Sequence, residues 1–274
     1  MGAILGLEQE QNTWGFWILE EMMRDRCFLI RPLSVNVVYI YVPGCQEHKN
    51  WAHRFVFSIQ HHKPSIPYKF TVICQGPTFD GQDVFSPMGK YEVFHHDDTG
   101  WDIGGYLAFS KVCTDDLMYC MGGTSYVRTD AWLERPIESW CKHGPGMHGT
   151  LSTFEIRPHI NSTGFITSPS ILSAYPHPVR NKQERYEFEH GYQSFWMTVN
   201  RWGLQTIFVT HCGEYSWPDW RVPPNIYRRG DQSNLLTHFR HTQNYDAADP
   251  PLKRGMEMLA DTLSDPVFAK APHQ

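Results

Sequence analysis

The densest run of ligand-capable side chains follows the β-prone run 91–94. It comprises His95, His96, Asp97, Asp98, Thr99 and, a little further on, Asp102. Carboxylates and imidazoles at a strand end can hold a ribose, a sugar hydroxyl or a metal ion, and Asp97 and Asp98 are the metal candidates. Asp97, Asp98 and Thr99 can equally cap the next helix, and His95 and His96 read better as loop filling. Asp102 reads better as a ligand contact. Gly122, Gly123, Thr124 and Ser125 then cut off the apolar run 117–121. Glycines there let the backbone approach a phosphate or sugar, and hydroxyls donate hydrogen bonds. The same four residues also suit a plain turn.

Further groups are spread over the second half. His159, Asn161, Ser162 and Thr163 sit between apolar extended segments, where buried polar groups need partners of their own or a ligand's. Glu187, Glu189 and His190 fall near what reads as the start of a helix. A carboxylate so placed can take a proton from a hydroxyl, or merely complement the helix dipole. Asp231, in a Gly-Asp-Gln-Ser-Asn run, is either an N-cap or a group for an acceptor hydroxyl or metal. Trp217 and Trp220 lie in the long segment 213–229, and loops of that length are mostly functional or disordered. There is no GxGxxG, Walker loop, GxSxG or HExxH motif.

The elements that must position these residues alternate. Residues 34–42 (SVNVVYIYV) and 68–74 (YKFTVIC) read as buried strands, with helical spacing over 47–61 between them. The run 91–94, a helix over 103–113 and the apolar run 117–121 extend this to βαβ, loop, βαβ. Such alternation predicts a parallel sheet with ligands at the strand carboxyl ends. Further helices are expected over 130–143, 186–202 and 231–239, with weak helical pattern at 252–263. Residues 16–28 suit an amphipathic helix in a peripheral extension.

Composition narrows the function. A chain of 274 residues with 14% aromatic and 19% charged residues buries a sizeable core and is not a disordered tail. A net charge of −5 with no Lys/Arg-rich run lacks the electrostatic footprint of a nucleic-acid binder. Seven cysteines without a CxxC pair suggest reduced thiols and a cytoplasmic setting. No signal peptide and no transmembrane segment is read.

The order of the pieces resembles the GT-A fold of nucleotide-sugar-dependent glycosyltransferases. VVYIYVPG (37–44), DDTGWDIGGYLAFSK (97–111), LMYCMGGTSYV (117–127), HINSTGF (159–165), FEHG (188–191) and RRGDQSNLL (228–236) carry the resemblance. It implies an α/β GT-A-like single domain over 34–245, with a mainly parallel central sheet flanked by helices. A nucleotide-binding half would span 34–127 and an acceptor half 128–245, with an N-terminal extension over 1–33 and a C-terminal tail over 246–274. The resemblance implies a transferase moving a sugar from a nucleotide-sugar co-substrate to a glycan or other hydroxyl acceptor, in polysaccharide or glycoconjugate synthesis. Pro43, Gly44 and Asp102 would contact the nucleotide, and Gly122, Gly123, Thr124 and Ser125 the diphosphate or donor sugar. His159 and Asn161 would line the sugar pocket, Trp217 and Trp220 would stack on the acceptor, and Glu189 or Asp231 would be the base. The family's Asp-x-Asp motif, which holds Mn²⁺ or Mg²⁺, is replaced by Gly122-Gly123-Thr124-Ser125, which leaves metal dependence open. Two alternatives stand beside this reading: a non-catalytic carbohydrate-binding or degenerate transferase-like protein, and a metal-dependent hydrolase built on the His95–Asp98 loop.

Overall fold

The computed structural model describes residues 32–261; the expected helix over 16–28 lies outside them. The first half alternates as expected: β1 (Val35–Tyr41), α1 (Gln46–His61), β2 (Lys69–Gln75), a short α2 (Gln82–Phe85), β3 (Glu92–His96), α3 (Trp101–Ser110) and β4 (Leu117–Met121). Every residue of β1 and β4 is buried. Strands covered on both faces need continuous apolar runs, which is why these two were plain in the sequence. The chain continues through β5 (Tyr126–Val127), α4 (Glu134–His143), β6 (Gly146–Gly149), β7 (Ser152–Thr153), β8 (His159–Ile160) and β9 (Gly164–Thr167). It ends with α5 (Pro169–Ser173), α6 (Lys182–His190), α7 (Phe195–Arg201), β10 (Gln205–Val209), β11 (Glu214–Ser216), β12 (Thr237–His238), α8 (Arg240–Ala247) and α9 (Pro250–Asp261).

The central sheet has eight strands in the order β11-β10-β6-β9-β4-β1-β2-β3. β1 pairs in parallel with β2 and β4, β2 with β3, and β10 with β6. β9 runs antiparallel to β4 and β6, and β11 antiparallel to β10. The protein is therefore mixed α/β with a mainly parallel central sheet flanked by helices. One hydrophobic core runs from Val35 to Ala260 across both expected halves. The tail is tied to it: the Phe154 N–H donates to the Ala260 carbonyl at 3.0 Å, and Ala260 is buried.

Three expected elements differ. The single helix over 186–202 is two, α6 and α7, separated by residues 191–194. Asn181 caps α6 by accepting the Glu184 N–H at 3.0 Å, so the first helix begins at Lys182, before the expected position 186. Glu187 and Glu189 then lie in its last turns, where the dipole disfavours carboxylates and a cationic partner is required. Residues 231–236 form turns, not helix, and the segment continues into β12, which pairs antiparallel with β5. The segment 213–229 carries β11 and a 3₁₀ turn at Asp219–Arg221.

His148 in β6 tests the packing by pH. It is fully buried, its Nε2–H donates to the Gly144 carbonyl at 3.0 Å, and its Nδ1 accepts from the Ser139 hydroxyl at 2.8 Å. Both ring nitrogens are satisfied in the neutral form. Burial pushes the imidazole down to about 4 from its usual 6.5. The unfolded chain therefore binds this proton first. Its contribution to stability is complete above pH 6.5 and falls as pH drops from 6.5 to 4, by about 3 kcal/mol. Urea titrations at pH 7 and pH 4 should show a smaller loss for His148→Asn than for the wild type. An equal loss would mean that His148 is not the group protonated.

Candidate active site

Moving along the chain, β1, β2 and β3 step outwards on one side of β1, and β4 is added on the other. That reversal is a topological switch point, and open α/β sheets bind ligands in the crevice outside the strand carboxyl ends there. A cleft of about 730 Å³ occupies this place. Ile40 and Val42 at the end of β1, Gln75 at the end of β2, and Gly122, Gly123 and Thr124 after β4 form its floor. Trp101 and Asp102, at the start of α3, form one wall. Lys182, Arg185, Tyr186, Glu189 and His190 from α6 form another, and Thr153, Glu155, Ile156, His159, Asn161 and Thr163 a third. Tyr227, Arg228, Phe239, Arg240 and His241 close it with His48 of α1.

The glycine turn is held from several sides. The Tyr39 hydroxyl donates to the Gly123 carbonyl at 2.8 Å, and the Ser125 N–H donates to the Gly122 carbonyl at 2.9 Å. Side chains are excluded there. A Cβ on Gly122 would come within 2.7 Å of the Thr163 methyl, and one on Gly123 within 2.9 Å of the Ile40 carbonyl oxygen. At Gly122 and Gly123 the cleft floor is therefore backbone, with the Thr124 side chain beside it.

An ion-pair chain crosses the opposite wall. Arg185 donates from Nε and Nη2 to the two carboxylate oxygens of Asp102, at 2.7 and 3.1 Å, and its Nη1 lies 3.6 Å from Glu189. The Ser162 hydroxyl donates to Glu189 at 3.0 Å. Burial alone would raise the Glu189 carboxyl, but Arg185, His159 and Ser162 outweigh it and hold it below its usual value. Glu189 is thus ionised at neutral pH. Arg228 pairs with Glu155 at 2.9 Å. Gln75 Nε2, His48 Nδ1, His190 Nδ1 and Arg228 Nε are buried and meet no hydrogen-bond partner among the described residues.

The structure brings together about half of the expected site residues. Asp102, Gly122, Gly123, Thr124, His159, Asn161 and Glu189 all line the cleft. The rest do not. Ser125 is fully buried and donates its hydroxyl to the Thr163 carbonyl at 2.8 Å. Pro43 and Gly44 lie outside the lining, and the Gly44 N–H donates to Asp80 at 3.0 Å. Asp231 is exposed, and its carboxylate accepts the Ser233 N–H at 3.0 Å in a local turn. Asp97 is exposed and accepts the Thr99 N–H at 3.0 Å in a local turn ahead of α3, whose N-cap is Gly100 with no side-chain cap bond, so the expected capping is not seen. Asp98 is also outside the cleft lining.

Trp220 is fully buried, with ring centroids 5.2 Å from Trp196 and 5.4 Å from Trp217. The aromatic segment that was expected to face an acceptor is a core cluster, because rings of this size gain most from burial. The exposed indole at the cleft is Trp101, 41% accessible and in the left-handed region at φ +53°. Ile156 and Arg228 on the lining share that conformation, at φ +69° and +51°. Backbone strain of this kind gathers at functional sites. Arg185 was the main residue missed. Its signal was the i, i+4 spacing to Glu189, hidden because the helix was expected to begin at Tyr186.

No protein-family model and no curated protein matches this chain. Among solved structures, the crystal structure of S. aureus TarS is similar at 11% identity over 61% of this chain and 33% of that one, with a TM-score of 0.42. The mannosyltransferase PcManGT from Pyrobaculum calidifontis, in complex with GDP-Man and Mn²⁺, is similar at 10% identity over 62% and 58%, with a TM-score of 0.41. The chain thus spans about a third and somewhat over half of their lengths. At these scores neither overlap carries an argument about activity. Among the described residues, no group of three or more His, Cys, Asp or Glu side chains is arranged to hold a metal ion. No helix among them is long and apolar enough to cross a membrane.

Proposed function

We propose that the protein is a glycosyltransferase that moves a sugar from a nucleotide-sugar donor to a glycan or other hydroxyl acceptor. The observation that carries this reading is the cleft at the sheet's switch point, floored by a glycine turn and walled by a buried carboxylate. Its volume of about 730 Å³ lies within the range of small-molecule sites. The floor, with Asp102 and Trp101, is the donor side in this reading. His159 and Asn161 belong to the sugar pocket.

Glu189 is the proposed base towards the acceptor hydroxyl. Its lowered pKa keeps it ionised but weakens it as a base. Ligand phosphate drawing Arg185 away would remove the largest lowering influence and raise its basicity.

A thermal-shift screen with UDP-, GDP-, CMP- and dTDP-linked sugars tests the donor. Stabilisation by one of them is the expected result, and stabilisation by free glycans alone would favour the carbohydrate-binding reading. That second reading draws on the engagement of Glu189 by Arg185. A stereochemical assay of transfer or donor hydrolysis separates the two. Trp101→Ala is expected to weaken donor binding about tenfold, the scale of one lost ring stack. Titration calorimetry checks this, and an unchanged affinity would remove Trp101 from the donor site.

A further inference from the structure

We propose that the cleft holds the donor's diphosphate without a divalent ion, on Arg240 and His48 beside the Gly122-Gly123-Thr124 turn. This inference rests on the donor reading above and specifies how the charge is met.

The donor set does not suit a hard cation. Mg²⁺ and Mn²⁺ sites are built from carboxylate and other oxygens. The turn after β4, where the resemblance places a metal-binding Asp-x-Asp, carries no carboxylate. The cleft has three carboxylates, Asp102, Glu155 and Glu189, and each already meets an arginine. Turning Glu155 to a metal ion would take the carboxylate from the partly buried Arg228, and turning Asp102 or Glu189 would take one of the two carboxylates that Arg185 holds, both costly rearrangements.

Positive and hydrogen-bonding groups are in excess instead. The lining holds four Arg or Lys side chains and four histidines against those three carboxylates. His48 stands directly against the turn, since a Cβ on Gly123 would lie 3.0 Å from its Nδ1. Burial holds this imidazole below its usual value, with Glu47 and Asp98 raising it and Arg240 lowering it further, so His48 meets a ligand as a neutral donor. Arg240 opens α8 at the same side of the cleft. Its partner is Glu47, at 3.3 Å, with the two side chains 49% and 59% exposed. An exposed pair of that kind contributes little and is readily exchanged for a phosphate, which the guanidinium fork can grip through two oxygens. The glycines let the phosphate come down to backbone at the same point.

The test is titration calorimetry of the full chain with UDP and GDP, in EDTA and again in Mn²⁺. The expected result is binding of at least one nucleotide with an affinity that differs by less than threefold between the two buffers. Arg240→Ala and Arg240→Gln are each expected to weaken that binding tenfold or more in EDTA, and His48→Ala several-fold. Arg240 is half-exposed, so both variants should fold, which circular dichroism verifies. Binding seen in Mn²⁺ and lost in EDTA overturns the metal-free site while leaving the donor reading intact. So does full affinity in both Arg240 variants. Failure of both nucleotides in both buffers overturns this inference, and the donor reading falls with it when the CMP- and dTDP-linked sugars also fail to stabilise the protein.

Discussion

Replacing Arg185 with methionine is expected to lower the unfolding free energy by about 3 kcal/mol at pH 7, the lower end for breaking a buried ion pair. In a domain of this size that is a fall of roughly 6–12 °C in Tm. Methionine keeps the apolar stem and removes the charge. Asp102 and Glu189 are then left 14% and 10% exposed without the guanidinium that bridged them. The cost is mainly that of stranding two carboxylates, more than the net worth of the pairs. This gives the prediction a pH signature. In the variant, burial of Glu189 is no longer outweighed by Arg185, so its carboxyl takes up a proton at a higher pH than in the wild type. The stability deficit should therefore be greatest at neutral pH and begin to shrink already above the usual carboxylate range, as the stranded Glu189 protonates. Arg185→Lys should rescue only part, because one ammonium cannot reproduce the two-oxygen grip on Asp102. A deficit independent of pH would mean that the loss is one of packing, and the ion-pair chain would not be what holds α6 against α3.

How far the sequence was legible depends on the distance over which each feature is decided. β1, β2 and β4 are near-continuous apolar runs, and their burial follows from their own composition. Knowing them as parallel strands also placed Asp102 and the glycine turn at a common end, since ligands gather outside strand carboxyl termini. The far wall was not legible in the same way. Helix α6 reads KQERYEFEH, with too few apolar residues to show a period, while the apolar FWM at the start of α7 drew the pattern forward. Placing the helix start at 186 and not at Lys182 left Arg185 outside it, and put Glu187 and Glu189 at the wrong end. Residues 235–239, LLTHF, have helical composition, but part of the segment is taken up by pairing with β5, more than a hundred residues away. Trp217 and Trp220 could be assigned to solvent or core only once Phe154 and Trp196 were known to pack on them. Arg240 and Glu47 meet across 193 residues, a proximity no local pattern records.

Gly104→Ala is expected to destabilise the protein by about 3 kcal/mol, the upper part of the range for overpacking. Helix propensity points the other way, since alanine within a helix is favoured over glycine by about 1 kcal/mol. Geometry decides the sign. A Cβ on Gly104 would fall inside the van der Waals envelope of the Thr99 carbonyl oxygen, and within 3.3 Å of the His96 ring. The first obstacle is backbone and cannot rotate away. It is also fixed in place, because Gly100 next to it holds φ +76° with its own Cβ direction blocked by the Val179 carbonyl. The helix must therefore move, and the residues it carries at its start, Trp101 and Asp102, move with it. Donor binding should fall more than stability alone explains, which calorimetry well below the Tm of the variant will resolve. Gly255→Ala in α9 is the matched control: no atom of the described residues lies within 4 Å of its Cβ position. Propensity acts there unopposed, so the control should gain up to about 1 kcal/mol. If both alanines stabilise, α3 can shift without cost, and the cleft wall that it forms with Asp102 and Arg185 is not a fixed surface.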